Sequence, residues 1–193
     1  MIVTNRIKLP LLSENDVTDE YISWHQNTDH VSLYSSSGKV FNRENLVSEI
    51  REGKRKKTLF IHGIHHSLDN KLIGNIKIGP INYKHKTSDL VVFIGNTNYL
   101  GKGYAVEAIR AGNELAFSKY GIRKLFGGMY SNNKKAVNAY LKAGWVIEGI
   151  QTGHYLFDND VQDRIFVACF NPKYFNIETI KHKFLNFEDI YDF

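Results

Sequence analysis

The stretch NTNYLGKGYAVEA, residues 96–108, places Gly101 and Gly103 on either side of Lys102, directly before a run with helical periodicity. The run VVFIG, residues 91–95, comes just before it and is typical of a buried strand. The first turn of a helix exposes backbone amides without internal partners, and glycines there let the main chain curl around a bulky anion. Residues 101–105 are therefore predicted to hold a diphosphate group with main-chain N–H groups.

Two other phosphate-binding patterns do not fit this stretch. A Walker loop requires Ser or Thr after its lysine, whereas Lys102 is followed by Gly103. A dinucleotide fingerprint requires a third glycine where Val106 stands, and it lies near the first strand of a parallel sheet rather than past the middle of the chain.

The order of the predicted elements indicates an α/β (α+β) fold. A strand, two helices and three strands are followed by a helix, a strand, a helix and two strands, which predicts a mixed, mostly antiparallel sheet of about seven strands flanked by helices. The second helix is expected to end at Gly53, the helix after the glycines to run from about 104 to 120, and the last two strands to enclose a polar loop, DNDVQD, at 158–163. Residues 1–170 are predicted to form a single domain, with 171–193 as an extension that packs on it or on a second subunit.

Composition favours an ordinary globular protein of one domain. The chain has 193 residues, a formal net charge of +5 and one cysteine, Cys169, in an apolar run, so neither an internal disulfide nor a thiolate metal site is expected. The basic run REGKRKK at 51–57 suits the C-terminal end of a helix better than a nucleic-acid site, because no recognition motif accompanies it. No signal peptide or membrane span is indicated, and a cytoplasmic location without a membrane or nucleic-acid partner is expected.

With these elements in place, the sequence resembles the GNAT family of acyl-CoA-dependent N-acetyltransferases, in the branch that includes ribosomal-protein and amino-sugar acetyltransferases. The family signature Q/R-x-x-G-x-G/A aligns with 100–105, where Gly103 and Ala105 match and Leu100 departs from Gln or Arg. A second family segment, N-x-x-A-x-x-x-Y-x-K-x-G-F, is carried by Asn133, Ala136, Tyr140, Lys142, Gly144 and Trp145.

The resemblance implies acetyl-CoA as co-substrate, with no metal, and assigns roles to particular residues. The pantetheine arm would pair with the main chain of Phe93, Ile94 and Gly95. The cofactor's diphosphate would lie on the turn made of Leu100, Gly101, Lys102, Gly103, Tyr104 and Ala105. Asn133 would bind the pantetheine or diphosphate region, unless it only caps a helix, and Tyr140 would protonate the departing thiolate because a phenol and an alkyl thiol have similar pKa values.

The general base is predicted less specifically than the acid. Asp89 stands where many relatives have Glu, and His154 lies in a late segment near the expected acceptor, so both are candidates for the base. Acceptor contacts are expected from NTDHVSLYSSSG at 27–38, including Tyr34, and from DNDVQD.

The implied function is acetyl transfer to a primary amine on a small molecule. A nucleotide-linked amino sugar is the first acceptor expected, with a protein N-terminus or a polyamine as alternatives. A non-catalytic acyl-CoA-binding module is the rival of a different class, and a homodimer is an expected assembly.

Overall fold

The computed structural model describes residues 1–27 and 41–186, and within them eight strands form one sheet in the order β1-β2-β3-β4-β5-β6-β8-β7. Only β5 and β6 pair in parallel, so the sheet is mixed and mostly antiparallel, as predicted. The strands are β1 (Ile2–Val3), β2 (Ile7–Leu9), β3 (Phe60–His66), β4 (Leu72–Ile78), β5 (Thr87–Ile94), β6 (Lys124–Tyr130), β7 (Val146–Phe157) and β8 (Asp160–Phe170).

Helices cover both faces of this sheet. They are α1 (Asp19–Gln26), α2 (Arg43–Lys56), α3 (Tyr104–Ser118), α4 (Lys134–Lys142) and the single turn α5 (Ile177–Ile180). Side chains of α3 and α4 pack in one core with Leu90 and Val92 of β5. Side chains of α1 and α2 pack in a second core with Phe93. Successive strand residues point to opposite faces, so β5 contributes to both cores.

The second predicted helix continues past Gly53 to Lys56, so its predicted end was wrong. Gly53 is buried inside the helix, where a Cβ would lie 2.7 Å from the Leu59 carbonyl oxygen, so the glycine serves close packing rather than termination. Lys57 ends the helix in the left-handed conformation (φ 57°). The basic run lies at this exposed end, in line with the favoured interpretation.

The predicted late loop DNDVQD is mostly strand. Asp158 and Asn159 form the turn alone, both with positive φ (49° and 68°), and β8 begins at Asp160. The short strand β1 was not predicted, and it raises the number of strands to eight.

The described part of the C-terminal extension packs on the domain. The Asn171 side-chain amide donates to the Ile122 carbonyl at 2.9 Å. Farther along, the Leu185 backbone N–H donates to the Ile147 carbonyl of the outer strand β7, also at 2.9 Å. Within 1–27 and 41–186, no helix has the length and apolar character needed to cross a membrane.

The contact between Gly95 and Trp24 fixes the end of β5 against α1 and gives a first prediction. A Cβ on Gly95 would lie 2.2 Å from the Trp24 ring, whereas a Cβ on Gly149 in β7 would meet nothing within 4 Å. Gly95→Ala is expected to lower the free energy of unfolding by about 1–3 kcal/mol through overpacking. Gly149→Ala is the matched control and should change it by less than about 0.5 kcal/mol. Urea unfolding measures both, and equal effects would contradict the close packing at Gly95.

Candidate active site

A cleft opens between β5 and β6 because their pairing stops early. The two strands pair only from Thr87 with Lys124 to Asp89 with Phe126, although β5 continues to Ile94 and β6 to Tyr130. The residues that line the cleft come from β5, β6 and α4; they are Asp89, Leu90, Val91, Val92, Gly127, Gly128, Met129, Asn133, Ala136 and Tyr140.

The register between β4 and β5 decides which main-chain groups face this cleft. Gly79 N–H donates to the Asp89 carbonyl at 3.1 Å, and Gly95 N–H donates to the Ile73 carbonyl at 3.0 Å. In an antiparallel pair, the main-chain N–H and C=O groups of successive residues point alternately toward the partner strand and away from it. The main-chain groups of Asp89, Val91, Phe93 and Gly95 therefore point toward β4.

The intervening residues Leu90, Val92 and Ile94 therefore turn their main chain toward the cleft. Of the three residues predicted to pair with a pantetheine arm, Ile94 alone has this orientation, and Leu90 and Val92 were not predicted. Which alternate residues of β5 face the cleft could not be read from the sequence, because it depends on how the chain crosses from β4 to β5.

Tyr140 reaches β5 where β6 leaves it. Its hydroxyl donates to the Leu90 carbonyl at 3.0 Å and accepts from the Val92 N–H at 3.2 Å. The ring is buried and packs edge-on against Trp145, with centroids 4.8 Å apart. The phenol thus lies against the main chain of the cleft, which is where the predicted acid would have to act.

The turn at residues 100–105, called the glycine turn below, contains two glycines in the left-handed conformation. Gly101 and Gly103 have φ of 70° and 81°, and Gly103 is the N-cap of α3, whose first turn bond runs from Glu107 N–H to the Gly103 carbonyl. Side chains in this conformation are strained, so glycine is the residue that lets the chain enter the helix here, and the first amides of α3 have no partner within the helix. Lys102 is exposed, whereas the Tyr104 ring is buried against Tyr99.

Asn133 caps a helix, which is the alternative role considered for it in the sequence. Its side-chain oxygen accepts from the Ala136 N–H at 3.2 Å and caps α4. Asn133 also lines the cleft, so the capping role does not conflict with cofactor binding, which stays a prediction.

Asp89 lies at the floor of the cleft, on the last residue pair that joins β5 to β6. The residue is partly exposed, but its Oδ1 is buried and accepts no hydrogen bond within the described residues. Burial raises the pKa of this carboxyl to about 6, against the opposing effects of a backbone hydrogen bond at Leu90 and the charge of Arg164. Such a carboxyl exchanges protons near neutral pH.

The structure separates the second base candidate from this carboxyl. His154 is exposed on β7, which lies three strands away from β5, or about 14 Å at the usual strand spacing. The other acceptor residue singled out in the sequence, Tyr34, lies outside the described residues.

Arg164 lies beside the cleft and was not singled out in the sequence analysis. Its Nε lies 2.2 Å from the position that a Cβ on Gly128 would occupy, so the glycine makes room for the guanidinium beside the cleft. The guanidinium stacks over Phe166 at 4.6 Å, and Nε is buried with no hydrogen-bond acceptor among the described residues. No local sequence signal marks Arg164, because its closeness to Gly128 and Asp89 depends on the pairing of separate strands.

The position of the Tyr140 hydroxyl predicts a cost for removing it. Tyr140→Phe leaves the Leu90 carbonyl and the Val92 N–H without this partner, which should lower the free energy of unfolding by about 1–3 kcal/mol. Tyr174→Phe is the control, because the Tyr174 hydroxyl accepts only an exposed bond from Lys86 and should contribute under about 0.5 kcal/mol. Urea unfolding of the ligand-free variants measures both; equal losses would contradict the Tyr140 contacts.

The chain is similar to acetyltransferases in sequence and in fold. A family model described as "Acetyltransferase (GNAT) domain" matches residues 6–146. The chain is 28% identical over 105 residues to a spermidine N(1)-acetyltransferase of Vibrio cholerae, a match that covers 54% of this chain and 60% of that protein. It is 24% identical over 164 residues to a probable N-acetyltransferase of Bacillus subtilis, covering 85% of this chain and 87% of that one.

A solved structure has the same fold. The crystal structure of spermidine N-acetyltransferase from Vibrio cholerae in complex with CoA and spermine superposes with a TM-score of 0.80 at 21% identity, covering 90% of this chain and all of that one. The splayed strands, the glycine turn and the family match agree with one another. The chain belongs to the GNAT acetyltransferase family.

Proposed function

We propose that this protein transfers an acetyl group from acetyl-CoA to a primary amine by direct attack of the amine on the thioester. The observation that carries the proposal is the cleft between β5 and β6, in which the Tyr140 hydroxyl contacts the same β5 main chain that leads into the glycine turn. One continuous stretch of chain, 90–105, thereby offers groups for an extended arm and, at its end, amides for a diphosphate.

The residues of the cleft fit acetyl-CoA as co-substrate. Val92 and Ile94 turn their main chain toward the cleft, so an extended amide-containing arm could add to β5 in place of the missing strand. Farther along the chain, the amides of the first turn of α3, which have no partner within the helix, suit a diphosphate. Bound there, acetyl-CoA supplies the activated acetyl group.

Two side chains would move the protons that the reaction requires. The amine must lose a proton before it can attack, and the carboxylate of Asp89 at the floor of the cleft is the group we assign to receive it. The departing thiolate must gain a proton, and Tyr140 is assigned to donate it, since the pKa of a phenol, about 10, is close to that of an alkyl thiol.

For the acceptor we favour a polyamine over the nucleotide-linked amino sugar expected first. The matched relative of Vibrio cholerae is named as a spermidine acetyltransferase, which supports this class. The exposed turn between β7 and β8 carries Asp158 and Asp160, whose carboxylates would attract a polycation at long range. The expected homodimer stays a prediction.

An acetyl-transfer assay that follows thiol release tests the function and the acceptor together. With acetyl-CoA and equal concentrations of spermidine, a nucleotide-linked amino sugar and a peptide with a free N-terminus, kcat/KM should be at least about tenfold higher for spermidine, since a matched charged acceptor gains over 1.4 kcal/mol. A higher value for either other acceptor would contradict the polyamine assignment. Binding of acetyl-CoA without turnover of any amine would favour the non-catalytic module, and no binding at millimolar acetyl-CoA would contradict both functions.

The raised pKa of Asp89 predicts a pH dependence. Below pH 6 or so the carboxyl holds a proton and cannot accept another, so log(kcat/KM) of the wild type should fall with about one additional unit of slope per pH unit as pH falls below that value. Asp89→Asn should lack this additional slope and have a lower maximum. Asp19→Asn, which removes an exposed carboxylate paired with Arg43, is the control and should keep the wild-type profile. An unchanged profile in Asp89→Asn would show that Asp89 is not the base.

A further inference from the structure

The turn between β1 and β2 contacts the start of α3, and Arg6 makes most of these contacts; the Thr4 hydroxyl also donates to Glu107. Arg6 donates from Nε to Glu107 Oε2 at 2.6 Å and from Nη1 to the Lys102 carbonyl at 3.0 Å. Its guanidinium carbon lies 4.4 Å from the centroid of the Tyr104 ring, and its Nη2 lies 3.6 Å from where a Cβ on Gly103 would be. All of these contacts are to residues of the glycine turn or of the first turn of α3.

Glu107 places a negative charge in the first turn of α3, where the diphosphate is proposed to bind. The N-terminal turn of a helix attracts an anion, and Glu107 already puts a carboxylate there. Burial alone would raise the pKa of Glu107, but hydrogen bonds from Thr4 and Arg6 outweigh burial and lower the pKa, so the group is charged at neutral pH. An unpaired carboxylate at this turn would repel the diphosphate that the turn is proposed to bind.

The bond to the Lys102 carbonyl orients the turn as well. A trans peptide is planar, with its C=O and N–H pointing in opposite directions. Because the Lys102 carbonyl points at Arg6, the N–H of the next residue, Gly103, points away from Arg6 and Glu107. Glycine at positive φ imposes little preference of its own here, so an outside contact is needed to select one orientation of this peptide.

We propose that Arg6 is a positioning residue for the co-substrate: it neutralises Glu107 and holds the Lys102 peptide so that the diphosphate meets amides and not a carboxylate. This inference rests on the proposed function, because it requires a diphosphate at the glycine turn. Leu100, which stands where the family signature has Gln or Arg, offers no charge there, whereas Arg6, between β1 and β2, brings a guanidinium to the start of α3.

A charge-pair comparison tests this role. Arg6→Met leaves the Glu107 carboxylate without its arginine and should raise the Kd for CoA about tenfold in low salt. Arg6→Met combined with Glu107→Gln should recover most of that loss, and Arg6→Lys should give an intermediate Kd, since an ammonium keeps the charge without the fork of donors. Arg51 and Glu14 form a similar two-bond pair in another part of the surface, so Arg51→Met is the matched control and should leave the Kd unchanged.

Pantetheine, which has no diphosphate, separates positioning from folding. Arg6→Met should bind pantetheine as the wild type does, and it should raise KM for acetyl-CoA while kcat stays within about twofold of the wild type (under 0.5 kcal/mol in the barrier). If Arg6→Met binds CoA as tightly as the wild type, or loses pantetheine affinity in equal measure, the positioning role is overturned. If the wild type itself binds no CoA, the proposed function fails first, and this role fails with it.

Discussion

The early end of the pairing between β5 and β6 is the constraint on which the functional region depends. A strand inside a sheet normally satisfies its main chain on both sides, but β5 loses β6 after Asp89. The Tyr140 hydroxyl forms hydrogen bonds with the next two main-chain groups that face the cleft, the Leu90 carbonyl and the Val92 N–H. The splay is therefore stabilised by one side chain, and the same side chain lies where the chemistry is proposed to occur.

The glycine turn and the cleft have complementary electrostatic character. At the glycine turn, the first amides of α3 have no partner within the helix, and Arg6 balances the Glu107 carboxylate. At the floor, Asp89 is held in a partly desolvated position that raises its pKa to about 6. An anionic ligand group is favoured at the glycine turn, and proton exchange near neutral pH is favoured at Asp89.

The sequence predicted best those features that short-range signals specify. The glycine turn was predicted directly before α3, where Gly101 and Gly103 take a positive φ that glycine adopts without strain, and the GNAT resemblance identified the fold that the structure and the family match confirm. Asp89 and Tyr140 were both predicted, and the structure brings them to one cleft.

Features that depend on register or on distant contacts could not be predicted. The main chain of Phe93 faces β4 because of the β4–β5 register, which the alternation of side chains does not reveal. His154 and Asp89 were both candidates for the base, but His154 lies on the edge strand β7, three strands from the strand of Asp89. Arg6 meets Glu107 across 101 positions of sequence, and no local pattern announces such a pair.

A crystal structure of the protein with bound CoA tests the central claim most directly. The account predicts diphosphate oxygens within hydrogen-bonding distance of the first amides of α3, and a pantetheine arm paired with the main chain of Val92 and Ile94. A diphosphate bound elsewhere, with the turn at 101–105 making no contact to it, would contradict the account.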